Sequence, residues 1–246
     1  MIKKTQYFPI LKPILFESTE LLAIDKLEKE NEEKIEKMKR ITEMEEKIDE
    51  EWISTIETCL KSFEINNQIG LIDILRLRVL EAENKTILEP FIINLITTFS
   101  QLPFENIKNI LLPLFRLTAN SFLPFPEKLL ENNIDKILMN FGIQFETFDH
   151  ESKISYISAL FNCVVFGVLK EEVGETFSKL IGDLLTISKE EEELTELLKL
   201  SGNLIILYKE GKQALLPTKP QLQRLSSSSS PTIREIISQI LPLLEE

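Results

Sequence analysis

Histidine is all but missing from this chain: His150 is the only one among 246 residues. Imidazole is the usual proton carrier near neutral pH and the commonest metal ligand, so a Ser-His-Asp set or a histidine metal site has little to be built from. The two cysteines, Cys59 and Cys163, lie far apart, and neither is near His150 or part of a metal-spaced cluster. No GxxxxGK[ST] or GxGxxG stretch is present to cradle a phosphate. No enzyme, metal or cofactor is expected, and His150 reads as a surface residue at a helix start. The thiols fall on apolar helix faces and read as buried and free, which suits a reducing compartment. Glycine is scarce at 7 residues and β-branched runs are few, so strands are not expected. The longest apolar run, around 157–169, is interrupted by Asn162 and is too short to cross a bilayer. MIKKTQYFPILKP at the N-terminus has a basic start without a long apolar stretch or a small-residue cleavage site, so no signal peptide is read. The chain is expected in the cytoplasm or nucleus, with no membrane contact. Its formal net charge of −12 argues against nucleic acid as a partner.

What the chain does have is apolar helix. Hydrophobic residues make up 43% of it, mainly Leu, Ile and Phe, enough for a single domain over 1–246 with a substantial core. Residues 1–16 carry Pro9 and Pro13 with little helical period and read as an extended arm. From Ser18 or Thr19 to about Phe63 neither Gly nor Pro occurs. Ile35, Met38, Ile41, Met44 and Ile48 recur every three or four residues there, the period of an amphipathic helix. This stretch is one long helix or two with a break near Asn31 to Glu33, and Trp52, Ile53, Ile56 and Leu60 pack its end. Further helices are expected over 86–100, from Pro126 to about Phe141, and over about 151–169, 171–188 and 190–208. Residues 217–231 end in five serines and read as a loop, with Ser230 capping and Pro231 opening a last helix. About eleven helices and no sheet are expected.

Four polar residues recur at nearly constant spacing. Arg78, Asn120, Asn162 and Asn203 lie 42, 42 and 41 residues apart. Each sits in a similar apolar helix: LIDILRLRVL (71–80), LFRLTANSFL (114–123), SALFNCVVFG (158–167) and LLKLSGNLII (197–206). A helical repeat of about 40–47 residues is the period of HEAT and armadillo arrays. The expected fold class is therefore all-α, an armadillo-like helical repeat solenoid. In such arrays one helix per repeat lines a groove, and an amide side chain there offers a donor and an acceptor to an extended peptide backbone. Charge is uneven: fourteen acids face seven bases over 17–51, nine face two over 171–196, and the remainder holds nineteen bases against seventeen acids. A locally basic groove is compatible with the acidic total.

The segments YFP (7–9), ILF (14–16), KLEKEN (26–31), DILRL (73–77), FRLTANSF (115–122), LFNCVV (160–165) and LLKLSGNLI (197–205) follow one another along the chain. In that order and spacing the sequence resembles, over nearly its whole length, the PUL domain. This is the C-terminal module of phospholipase-activating protein and of its fungal ubiquitin-homeostasis relatives. The resemblance implies a six-repeat armadillo-like solenoid with a basic groove. It implies a non-catalytic adaptor that binds the acidic C-terminal tail of the AAA ATPase valosin-containing protein, in ubiquitin-dependent protein turnover. Ubiquitin binding is not implied, because in the relatives a β-propeller and a separate ubiquitin-binding module precede this domain.

Arg76 and Arg116 match the positions of the family's groove arginines. At the last matched repeat that arginine falls on Glu196, with Lys199 about one turn later as a substitute. Glu196 itself reads as pointing outward beside Glu192 and Glu193. The candidate peptide-binding residues are thus Arg76, Arg78, Arg116, Asn120, Asn162, Lys199 and Asn203. For Arg76 the alternative is a local salt bridge to Asp73, three positions earlier. The competing function is a helical scaffold that binds another protein through the acidic 28–51 helix.

Overall fold

The computed structural model describes residues 12, 14–17, 48–81, 85–167 and 171–245. Among them the chain is all-α, with thirteen α-helices, four 3-10 turns and no strand. Four of these helices have seven residues or fewer, too short for an apolar period to reveal them in sequence. The acidic stretch 28–47 and the break expected near Asn31 lie outside the described residues. The chain divides into two compact units, one of Ile14–Ile137 and one built on Leu138–Glu246.

The first unit contains α1 (Glu50–Ser62), α2 (Ile69–Arg78), α3 (Lys85–Ser100), α4 (Phe104–Ile107), α5 (Leu111–Ser121), α6 (Pro126–Glu131) and the start of α7 (Ile134–Gly142). α1 begins where the Asp49 carboxylate accepts the Trp52 N–H at 2.9 Å. Glu50 and Glu51 fill its first turn, where the helix dipole favours negative charge. The apolar stripe that runs through Ile48 in the sequence is therefore interrupted at Asp49. α2 is buried all round, from Gly70 to Arg78, and packs on α5. Pro113 lies in the first turn of α5 and Pro126 opens α6, the places where proline costs a helix least. The helix expected from Pro126 to Phe141 is two. Asn133 takes φ 60° between them, a left-handed conformation that asparagine tolerates better than most side chains.

The second unit contains α8 (His150–Phe166), α9 (Glu171–Ile187), α10 (Glu191–Leu207), α11 (Lys209–Leu215), α12 (Lys219–Leu225) and α13 (Pro231–Glu245). α8 packs on α10, α10 on α13, and α9 on α11. The helices bearing Asn162 and Asn203 are thus neighbours, as are those bearing Arg78 and Asn120 in the first unit. The approach of α9 to the α10–α11 corner depends on Gly174, where a Cβ would lie 2.7 Å from Cγ of Tyr208. That ring cannot step aside, because its hydroxyl donates to the Val164 carbonyl at 2.8 Å. Tyr156 is buried against Phe145 and Phe148 and donates to the Leu138 carbonyl at 2.8 Å. Burial pushes its phenol well above the ordinary range.

The segment 217–231 is not the loop its composition suggests. Leu216–Thr218 is a 3-10 turn and Lys219–Leu225 is helix, each with a proline in its first turn, which favours a helix start. Only 226–230 stay non-helical. There Arg234 donates to the carbonyls of Ser228 and Ser229 at 2.6 and 2.9 Å. Ser230 Oγ accepts the Ile233 N–H at 3.3 Å, capping α13 at Pro231 as expected. Cys59 and Cys163 are both buried. Among the described residues no helix is long and apolar enough to cross a membrane.

Candidate peptide-binding site

A guanidinium in the middle of a buried helix needs a counter-charge, and α2 supplies one from its own preceding turn. Arg76 Nε donates to Asp73 Oδ1 at 2.6 Å and Nη2 to Oδ2 at 3.2 Å, with the two side chains only 2% and 0% exposed. This is the two-pronged geometry that arginine makes with a carboxylate. The remaining amine, Nη1, donates to the backbone carbonyl of Phe16.

Asn120, fully buried on α5, meets the same residue. Its Oδ1 accepts the Phe16 N–H at 2.9 Å. Its Nδ2 donates to the Phe16 carbonyl at 3.1 Å and to the Arg76 carbonyl at 2.8 Å. One amide therefore bonds both backbone groups of a non-helical residue and also ties α5 to α2. The Arg116 guanidinium sits 5.3 Å from the centroid of the Phe16 ring, within cation–π reach. Residues 14–17 are non-helical, with Ile14, Leu15 and Phe16 half-buried and Glu17 exposed. The backbone that Asn120 grips is thus the chain's own arm. Arg76 does both things weighed for it, pairing with Asp73 and binding extended chain.

The other candidates fall elsewhere. Arg78 is 3% exposed, pairs with Glu81 at 3.3 Å and lies 5.9 Å from the Trp52 ring centroid, so it faces α1. Asn162 and Asn203 are buried on α8 and α10, and Asn203 Nδ2 donates to the Lys199 carbonyl of its own helix at 2.9 Å. In all, Arg76, Arg78, Asn120, Asn162 and Asn203 are core residues and offer no open contact surface. A polar group set at constant depth in an apolar helix must be satisfied by what packs on it, which is why these positions turn inward. Arg116 and Lys199 are half-buried.

Glu196 does not point into solvent beside its acidic neighbours. It takes a 2.6 Å ion pair from Lys199, with side chains 21% and 24% exposed. Glu193, one turn before, is only 1% exposed, with Oε1 3.4 Å from Lys153 Nζ and 3.5 Å from His150 Nδ1. Glu192 lies 3.0 Å from His150 Nε2. His150 is the first residue of α8, as its surface reading expects, but it also bridges to the start of α10, which that reading missed.

The hydrogen bond to Glu192 holds the His150 pKa above its ordinary 6.5, against the opposing effect of desolvation and with help from Glu193. Because the folded-state value is the higher one, the imidazolium's contribution is complete below the unfolded pKa and is lost as pH rises through the folded one. Melting temperatures of the wild type and His150→Gln should therefore differ at about pH 5.5 and converge by about pH 8.5. A constant gap over that range would contradict the bridge.

A helical module with side chains set to hold extended backbone belongs among the protein-interaction domains. The chain is a member of the PUL domain family, whose model matches residues 1–239, and the PUL domain is a protein–protein interaction domain. No curated protein matches the chain in sequence. Among solved structures it is similar to an engineered protein from the Northeast Structural Genomics Consortium, at 14% identity with a TM-score of 0.61, over 79% of this chain and 80% of that one. At that identity the likeness speaks to the fold alone.

Proposed function

We propose that this PUL domain is a non-catalytic adaptor that docks the acidic C-terminal tail of a valosin-containing-protein-type AAA ATPase. In that role it serves ubiquitin-dependent protein turnover in the cytoplasm or nucleus. The observation that carries the reading is the family match over residues 1–239. Tail carboxylates need cations that reach solvent, and Arg116 and Lys199 are each only half-buried. Arg116 offers the planar donors that suit a carboxylate. Lys199 is engaged by Glu196 at 2.6 Å, so an incoming carboxylate must compete with one already there and is repelled by it.

Calorimetric titration of the tail peptide tests this with Glu196→Gln. Removing the carboxylate releases Lys199 and ends the repulsion, so affinity should rise severalfold at low salt. The gain should shrink as salt shortens the screening length from about 10 Å at about 0.1 M to about 3 Å at about 1 M. Equal affinities for the two proteins at every salt concentration would remove Lys199 from the docking surface.

A further inference from the structure

The polar apparatus of the first unit holds one residue of extended chain, yet much of it stands without that residue. Asp73 and Arg76 pair within α2, and Asn120 reaches the Arg76 carbonyl between α5 and α2. Both links remain when the arm departs. Phe16 of the arm supplies an N–H, a C=O and an aromatic ring. Asn120 and Arg76 read the first two, which every residue but proline carries. Arg116 reads the third. The site is also more deeply buried than its occupant. Asn120 and Arg76 are 0% and 1% exposed, whereas Ile14, Leu15 and Phe16 keep part of their surface in solvent and Glu17 is exposed.

We propose that Arg76, Asn120 and Arg116 form a peptide-binding site filled in cis by the 14–17 arm. An extended segment of a partner protein, with an aromatic residue in the place of Phe16, takes the site by displacing that arm. The ligand class follows from the contacts. Backbone N–H and C=O of a single residue are bonded together, which demands extended chain and excludes proline at that residue. The guanidinium of Arg116 favours an aromatic over an aliphatic side chain there. No acidic group takes part in the contacts of Phe16, which come from its backbone and ring. The site shares Arg116 with acidic-tail docking, but the two readings are told apart by their tests, since tail docking answers to salt and Glu196→Gln and this site answers to Phe16→Pro. A tethered arm competes at an effective concentration on the order of millimolar, so the cis segment acts as a built-in competitor.

The test uses the full chain and a labelled peptide, KPILFEST, copied from residues 12–19 and blocked at both ends. Phe16→Pro removes the N–H and the ring from the cis competitor. Fluorescence anisotropy should show the peptide binding this variant about tenfold more tightly than the wild type. The same peptide with alanine in the phenylalanine position should bind about tenfold more weakly. Adding Asn120→Ala to Phe16→Pro should abolish binding. A Phe16→Pro chain with a wild-type circular dichroism spectrum that takes both peptides alike, or neither, overturns the proposal. If Phe16→Pro does not fold, the wild type decides, with the Asn120 side-chain amide followed by NMR as peptide is added to millimolar concentration. A saturable shift for the phenylalanine peptide supports the site, and no shift overturns it.

Discussion

Arg76→Ala should destabilise the chain by about 3–5 kcal/mol, the cost of leaving one partner of a buried ion pair uncompensated. Asp73 is 0% exposed and receives both Nε and Nη2 of Arg76, so losing the guanidinium removes its two-pronged counter-charge. A domain is stable by only about 5–15 kcal/mol, so this single change removes a large part of the margin. The loss belongs to the orphaned carboxylate rather than to the value of the pair. Replacing both residues together, Asp73→Leu with Arg76→Met, should therefore recover most of it. Urea unfolding followed by circular dichroism measures all three. A single-variant loss below about 1 kcal/mol would mean that the pair is far better hydrated than its exposure indicates. The same reasoning disqualifies Arg76→Ala as a probe of binding, because lost affinity would be inseparable from lost fold.

Asn120→Ala should cost about 2–3 kcal/mol. It strands the Phe16 N–H and the Arg76 carbonyl, and buried groups left unpaired cost about 1–3 kcal/mol each. Water reaches the Phe16 side of the site, since the arm is only half-buried, which holds the sum below the full total. The variant should also show faster amide hydrogen exchange at Phe16, whose N–H loses its 2.9 Å acceptor. Wild-type exchange at Phe16 in Asn120→Ala would mean that the arm is held by something other than this amide.

The 42-residue spacing makes the all-helical class legible from sequence, and it carries more than its first interpretation. Polar residues a constant distance apart suggest a ladder facing a groove. In the structure that distance is the register at which neighbouring helices touch. Asn120 reaches Arg76 across 44 positions, Asn109 reaches Asn66 across 43, His150 meets Glu192 across 42 and Tyr208 reaches Val164 across 44. The repeat therefore specifies contacts inside the core as well as alignment along a face, and an apolar helix bearing one amide serves both equally well. The grip on Phe16 could not be found this way. It joins residues 104 positions apart, and no periodicity connects the arm to α5. The Asp73–Arg76 spacing was visible, but its burial was not, because i,i+3 pairs look the same on a solvated face. The helix start at the Asp49 cap was missed because the apolar stripe through Ile48 runs straight across it in the sequence. The helix over Lys219–Leu225 was missed because its polar composition resembles a loop.

Docking of an acidic tail is the central functional claim, and calorimetry tests it most directly. The tail peptide of a valosin-containing-protein-type AAA ATPase is titrated into the wild type, Arg116→Ala and Glu196→Gln, at low and high salt. The account predicts saturable binding that weakens as salt rises, is reduced by Arg116→Ala and is strengthened by Glu196→Gln. Absence of binding to a folded wild-type chain at low salt, or an affinity indifferent to salt and to both substitutions, would contradict it.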